Sequence, residues 1–442
     1  MKYSSYNIFI ELSDGDLLLV NTFSGAMFKV SEETRRKITE DSFDLQAIDL
    51  QQFQKTGIII DDKIDELRYI SHMNSTAKFK SNILSVTVLL TMDCNFKCTY
   101  CYEGTEDREI LSLSPDSCNR IYKFIQNILN TNHNLNTVHL ILFGGEPLLH
   151  FRIHASWIDS IKELSESMGK SFSTSTVTNG SLIDDFVMER LIAFNCRALQ
   201  ISLDGVKEIH DARRIRNDGA GTFDTVMAGI KKAYSYKSHV PLIVRINIDR
   251  TNYQQIDSLL TQMLDEGLDG CRIDFGIVRG YDYNKQFSVS NCFSDAELSE
   301  IMPPIWESAY SKGFSFSVKP VRRSLYCGCH SDMSFTIKPN GELYSCWEFV
   351  GDKDQMFGVI DENGYLPNLG YSYFDWITRH FSDSEMCLKC KFIPICMGGC
   401  AAIGYNRDDN IHQSGCFMTK SLFKAQTKFF YEHFMQNSPD KV

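Results

Sequence analysis

The 442-residue sequence has no apolar run approaching the roughly 20 residues that cross a bilayer; its longest, such as residues 83–90, are far shorter. It has no basic excess. Forty-five Lys and Arg stand against 56 Asp and Glu, for a formal charge of −11, which excludes a general nucleic-acid binder with a basic face. The opening residues MKYSSYNIFIEL carry acid early and no small-residue cleavage site, so no secretory signal is expected. There is no low-complexity segment and no short-period repeat. A cytoplasmic protein with neither membrane nor nucleic acid as partner is the expectation.

What is present is cysteine, 15 in all. In a reducing compartment disulfides are rare, so clustered cysteines point to metal or iron–sulfur ligation, or to catalytic thiols. Three lie between Cys94 and Cys101 and eight between Cys327 and Cys416. The other four, Cys118, Cys196, Cys271 and Cys292, read as small buried apolar side chains.

The length supports two or three domains. Residues 1–78 read as a small α+β, winged-helix-like unit: a hairpin around Ser13-Asp14-Gly15-Asp16, a third strand at Phe28-Lys29-Val30, a helix capped by Ser31, and a second helix ending near Gly57. Residues 71–80, SHMNSTAKFK, read as a polar linker. Over 79–315, apolar strands near 84–90, 138–143, 173–178, 198–203, 242–248 and 272–277 alternate with helices such as 115–129 and 184–194. Six such units predict an α/β fold, a partial (β/α)6 TIM-type barrel with its chemistry at the C-terminal strand ends. Residues 316–442 form a cysteine-rich third region, with a hairpin turn at Lys338-Pro339-Asn340-Gly341-Glu342 and a closing helix over 419–435.

Cys94, Cys98 and Cys101 follow directly on the first barrel strand. Iron–sulfur clusters normally take four cysteines. Three leave one iron open, which is a functional rather than a structural arrangement; a zinc site or packed thiols remain as alternatives from spacing alone. The CX3CX2C pattern resembles the signature of the radical S-adenosylmethionine (SAM) superfamily. That resemblance implies a four-iron cluster on Cys94, Cys98 and Cys101 whose open iron binds SAM, and reductive cleavage of SAM to a 5′-deoxyadenosyl radical that abstracts substrate hydrogen. It implies that Tyr100 lies beside the adenine. It further implies that Gly144-Gly145-Glu146-Pro147, ending the second strand, receives the amino group, and that Ser202 and Arg214 hold the carboxylate. Arg213 and Arg216 are near enough in sequence to replace Arg214.

The second cluster has Cys387, Cys390, Cys396 and Cys400 as CX2CX5CX3C, then Cys416. Upstream lie Cys327, Cys329 and a GX4C element ending at Cys346. This resembles the SPASM domain, a zinc ribbon being the alternative. The resemblance implies two auxiliary 4Fe-4S clusters, three in all. Cys387, Cys390, Cys396 and Cys416 would hold the outer one; Cys346 and Cys400, with Cys327, Cys329 or both, would hold the inner one. It also implies relatedness to anaerobic sulfatase-maturing enzymes, in which an aspartate follows the GX4C cysteine and serves as base. Here that place is Trp347, followed by Glu348.

Proteins with this domain mostly modify peptides or proteins, and the hairpin–helix order of residues 1–78 resembles peptide-clamping elements that add a leader peptide as an extra strand. The expected function is maturation of a ribosomally made precursor peptide by a cross-link, such as a thioether, with flavodoxin or ferredoxin as electron donor. Formylglycine generation in a sulfatase is the alternative enzyme, and a non-catalytic electron carrier the alternative class.

Overall fold

The strand Ile83–Thr91 begins the barrel because its residues alternate: Leu84, Val86, Val88 and Leu90 are fully buried on the helix side, while Ser85 and Thr87 face the other way. In the computed structural model, which describes residues 1–104, 109–280 and 289–436, this strand is followed by parallel strands Thr137–Gly144, Ser171–Thr178, Cys196–Ser202, Leu242–Ile248 and Arg272–Ile277. All six expected strands are present. Their order in the sheet follows chain order, as right-handed βα units require for a barrel segment. A short seventh strand, Ser315–Phe316, extends the far edge. It straddles the boundary placed at residue 315.

The covering helices are amphipathic. Pro115–Thr131 starts on Ser114, whose hydroxyl accepts the N–H of Ser117, and buries Cys118, Ile121, Phe124, Ile125 and Leu129 at helical spacing. Asp185–Ala193 is capped in the same way by Asp184.

The C-terminal region does not stand apart from the barrel. Its strand Ser334–Ile337 pairs in parallel with Ile83–Thr91, and the hairpin to Glu342–Tyr344 and then Gly358–Val359 continues the sheet to ten strands. The edge of the first barrel strand is thereby covered.

At the N-terminus, Asn7–Glu11, Leu17–Asn21 and Met27–Val30 form an antiparallel three-stranded sheet. Ser31 caps the helix Glu32–Thr39, and Gly57, with φ +78°, ends Ala47–Thr56 in the left-handed conformation expected of a C-cap glycine. One face of the sheet, with Ile8, Ile10, Leu18 and Val20, packs on Ile395 and Phe423 of the C-terminal region. Lys391 ties the two together: its Nζ donates to the Asn7 carbonyl at 3.0 Å, and its own carbonyl accepts the Thr22 hydroxyl at 2.6 Å.

The expected linker is a helix. Glu66–Phe79 is capped by Asp65 and buries Glu66, Ile70, Asn74 and Lys78, four residues apart. Three of those four are polar, which hides the helical period, and each has a partner. Ser4 donates to the Glu66 carboxylate, Asn74 donates to the Ser324 carbonyl at 2.8 Å, and Lys78 donates to the carbonyls of Ile377 and Arg379. Burial lowers the Lys78 ammonium to about 8. This helix is thus a strut between the N-terminal sheet and the C-terminal region. Ile70→Ala should cost about 2–5 kcal/mol of stability, as deletion from a closed core does, whereas Ser75→Ala on the exposed face should change little; denaturant midpoints of the two variants provide the comparison.

Candidate active site

The second barrel strand ends on Gly144 and Gly145, and neither position accepts a side chain. A Cβ on Gly144, where φ is +121°, would stand 2.1 Å from the Thr91 carbonyl oxygen, and one on Gly145 would stand 2.3 Å from that of Asp93. The glycines allow the two strand ends to buckle together, with Gly145 N–H donating to Thr91 at 3.0 Å and Glu146 N–H to Asp93 at 2.9 Å. The cysteine loop therefore departs from the tip of a joined pair of strands.

A second contact fixes the loop from outside. Residues Phe96–Cys98 pair antiparallel with Arg214–Arg216, so that Arg214 lies opposite Cys98. Thr99 N–H donates to the Arg213 carbonyl at 2.9 Å, and the Asn217 amide donates to the Cys94 carbonyl at 2.8 Å. Nothing in the sequence pattern announced this ribbon, because each of its strands is only three residues long.

The result is one cavity of about 580 Å³ at the C-terminal strand ends, lined by Cys94, Cys98, Cys101, Tyr100, Gly144, Gly145, Ser202 and Arg214. Of the residues predicted for the SAM site, Glu146 and Pro147 do not line it. Glu146 is fully buried, and its carboxylate accepts the Thr178 hydroxyl at 2.6 Å and the N–H groups of Asn179 and Leu148 at 2.7 and 3.0 Å. Burial raises its carboxyl above the ordinary value against these donors. It clamps the second and third strand ends together, so its side chain is a positioning group.

The three candidate arginines separate cleanly. Arg216 is exposed and pairs with Asp218. Arg213 is buried away from the cavity, with Nη1 donating to Asp249 at 2.6 Å and Nη2 to the Asn247 carbonyl at 2.9 Å. Arg214 lines the cavity. Its Nη1 donates to the Tyr100 hydroxyl at 2.7 Å, and its Nε is buried without a hydrogen-bond partner among the described residues. An orphaned guanidinium N–H beside Cys98 suits an anionic ligand group such as a carboxylate.

Beneath them lies Asp204, whose role the sequence reading missed. It is fully buried, receives the Tyr100 hydroxyl and the Asn247 N–H (3.0 Å), and lies 3.7 Å from Arg213 and 3.9 Å from Arg214. Burial pushes its carboxyl up, but the two guanidinium groups prevail and hold it below the usual carboxylate range. His210 packs against this charge. Burial, aided by Arg214, lowers it to about 4, so it is neutral and accepts the Asp204 N–H on Nδ1 at 3.2 Å. The available signal was the Ser-Leu-Asp-Gly strand end facing two adjacent arginines.

Across the cavity, Trp347 and Glu348 of the C-terminal region form part of the wall, Trp347 with its ring 5.7 Å from that of Phe143. The C-terminal cysteines gather into two groups. Cys387, Cys390, Cys396 and Cys416 rim one small cavity. Cys327, Cys329, Cys346 and Cys400 share one apolar cluster with Trp376 and Ala401, with Cys327 and Cys329 sulfurs 3.5 Å apart. Among the described residues, no three His, Cys, Asp or Glu side chains converge on a single ion position. A cubane is ligated from around its corners, one thiolate per iron, so four cysteines rimming a cavity match that donor set. Cys118, Cys196 and Cys271 are buried elsewhere, and burial raises their thiols to about 11, 11 and 12, as inert core cysteines require. Cys292, expected with them, is only half-buried.

Two substitutions probe this site. Arg214→Ala should weaken SAM binding about 10- to 100-fold, the worth of hydrogen bonds to a charged group, whereas Arg216→Ala should leave it unchanged; titration calorimetry on anaerobically reconstituted protein reads both. Gly145→Ala should displace the cysteine loop and reduce the iron retained at Cys94, Cys98 and Cys101.

Comparison with known proteins agrees with this geometry. Residues 88–262 match the family model of the radical SAM superfamily. The chain is 25% identical over 364 residues to a cysteine-type anaerobic sulfatase-maturating enzyme of Clostridium novyi, covering 77% of this chain and 92% of that one. It is 22% identical over 466 residues to the radical SAM cyclopropyl synthase TigE of Paramaledivibacter caminithermalis, covering 95% and 94%. Its fold matches the crystal structure of Streptococcus suis SuiB bound to precursor peptide SuiA with a TM-score of 0.55 at 16% identity, over 95% of this chain and 99% of that one. The matched region holds the cysteine loop, the glycine turn and five of the six long barrel strands in whole or in part, so this enzyme carries a radical SAM domain.

Proposed function

We propose that this enzyme is a peptide maturase that binds a ribosomally made precursor through residues 1–78 and introduces a cross-link, such as a thioether, in the barrel cavity. The observation that carries this reading is the strand Met27–Val30, which is an edge of the N-terminal sheet and, among the described residues, pairs only with Leu17–Asn21. An extended leader can add to such an edge by backbone hydrogen bonds. The two relatives that align over 95% of the chain include one crystallised with its precursor peptide, whereas the sulfatase-maturating relative aligns over 77%. Trp347 also stands where sulfatase-maturing enzymes carry aspartate. Glu348, half-buried in the cavity wall, keeps formylglycine generation as the second reading.

Bound SAM supplies the hydrogen-abstracting radical. The chain's own groups would hold it: Arg214 and Ser202 at the carboxylate, the Gly144-Gly145 backbone at the amino group, Tyr100 beside the adenine. Cys387, Cys390, Cys396 and Cys416 would hold an outer auxiliary cluster, and Cys327, Cys329, Cys346 and Cys400 an inner one. Four thiols at the inner site leave no open iron, which favours electron acceptance over binding of a substrate thiolate. A flavodoxin or ferredoxin would supply the reducing electron.

Three outcomes test the reading. Anaerobic reconstitution should load about twelve irons per chain, and replacing Cys94, Cys98 and Cys101 with alanine should remove about four and abolish 5′-deoxyadenosine formation. Mass spectrometry of a co-expressed precursor should show loss of two hydrogens per cross-link; an aldehyde at a single cysteine or serine would favour the second reading. The register also selects the edge probe. Asn21 N–H donates to the Ala26 carbonyl, so alternate residues Phe28 and Val30 bond inward to Leu17–Asn21 while Met27 and Lys29 face out. Lys29→Pro should therefore weaken precursor binding with folding retained, whereas Phe28→Pro would break the sheet itself and the packing of Phe28 on Phe53.

A further inference from the structure

Arg279 stands just beyond the strand Arg272–Ile277, in the wall of the SAM cavity. Its guanidinium spans two groups that belong to different functions. Nη2 donates to Glu348 Oε1 at 2.5 Å, and Nη1 lies 3.8 Å from the sulfur of Cys400. Glu348 is the second residue after Cys346, and its other oxygen, Oε2, is buried without a hydrogen-bond partner among the described residues. One rigid, permanently charged fork thus touches the carboxylate in the substrate cavity and a thiol of the inner cysteine group.

We propose that Arg279 is a positioning residue that sets the reduction potential of the inner auxiliary cluster and couples it to the cavity through Glu348. The inference rests on the ligand reading above, in which Cys400 is an inner-cluster thiolate. A hydrogen bond from a cation to a cluster sulfur stabilises the reduced, more negative state and raises the potential. Glu348 opposes this by drawing the same guanidinium toward its own charge. The potential therefore depends on how Arg279 is shared, and a substrate group that engages Glu348 in the cavity would shift that sharing. Lysine could keep the charge but has no fork with which to hold both partners at once.

Potentiometric titration followed by electron paramagnetic resonance on the reconstituted full chain tests this directly. Arg279→Gln should move the inner-cluster midpoint to more negative potential and leave the outer and SAM-site clusters unchanged. Arg279→Lys should recover part of the shift. Glu348→Gln should move the midpoint the other way, because it removes a negative charge from beside the inner group. Reconstituted protein that saturates near four irons would overturn the ligand reading on which the inference stands. Full loading with an inner midpoint that is the same in wild type and Arg279→Gln would overturn the inference alone.

Discussion

The close backbone approach of Gly144 and Gly145 to Thr91 and Asp93 is the constraint on which the rest of the site depends. It joins the ends of the first two barrel strands at a separation that admits no Cβ, and so fixes where the cysteine loop begins. From there the loop is held by the ribbon with Arg214–Arg216, which delivers Arg214 to the same wall as Cys98. The cysteine loop and Arg214 are thereby placed by one another. Backbone geometry provides this, and it is stiffer than a set of side chains on separate mobile loops would be.

Charge is managed in a layer beneath the cavity. Asp204, Arg213 and Asp249 are almost wholly removed from water, where unpaired charges would be prohibitively costly. They neutralise one another, and Tyr100, Asn247 and Thr251 add hydrogen bonds to them. Arg214 sits at the top of this layer, tied down through Tyr100 but with Nε left unsatisfied. The network thus holds Arg214 in place at the cavity wall through its partners below.

The three regions of the chain are mechanically continuous. The C-terminal hairpin extends the barrel sheet, the helix Glu66–Phe79 reaches from the N-terminal unit onto the C-terminal region, and Tyr6 and Ile70 pack with Cys387 and Phe381 in one cluster. The N-terminal unit thus rests on the loop that carries the outer cysteine group, and Lys391, beside Cys390, is pinned to Asn7 and Thr22. A peptide held at the edge strand would be held by a body packed directly on the region that carries the C-terminal cysteines.

The sequence by itself determined the six barrel strands and the cysteine loop after the first of them, because apolar alternation and close cysteine spacing are local and survive being read one residue at a time; the division of the C-terminal cysteines into two groups came from the resemblance to the SPASM domain, since the two groups interleave along the chain. The helix over 66–79 escaped because buried Asn74 and Lys78 look like solvated residues until their carbonyl partners, some 250 to 300 positions away, come into view. The choice among Arg213, Arg214 and Arg216 was equally out of reach. Adjacent residues of one type differ only in the direction the backbone points them, and that direction is set by a ribbon formed with a segment more than 100 residues distant. The same holds for Glu146, whose motif marked it as a ligand contact while its carboxylate is held by Thr178 and Asn179. Composition and spacing decided which chemistry the chain can carry; only tertiary structure, through long-range pairing and burial, decided which side chains face the cavity.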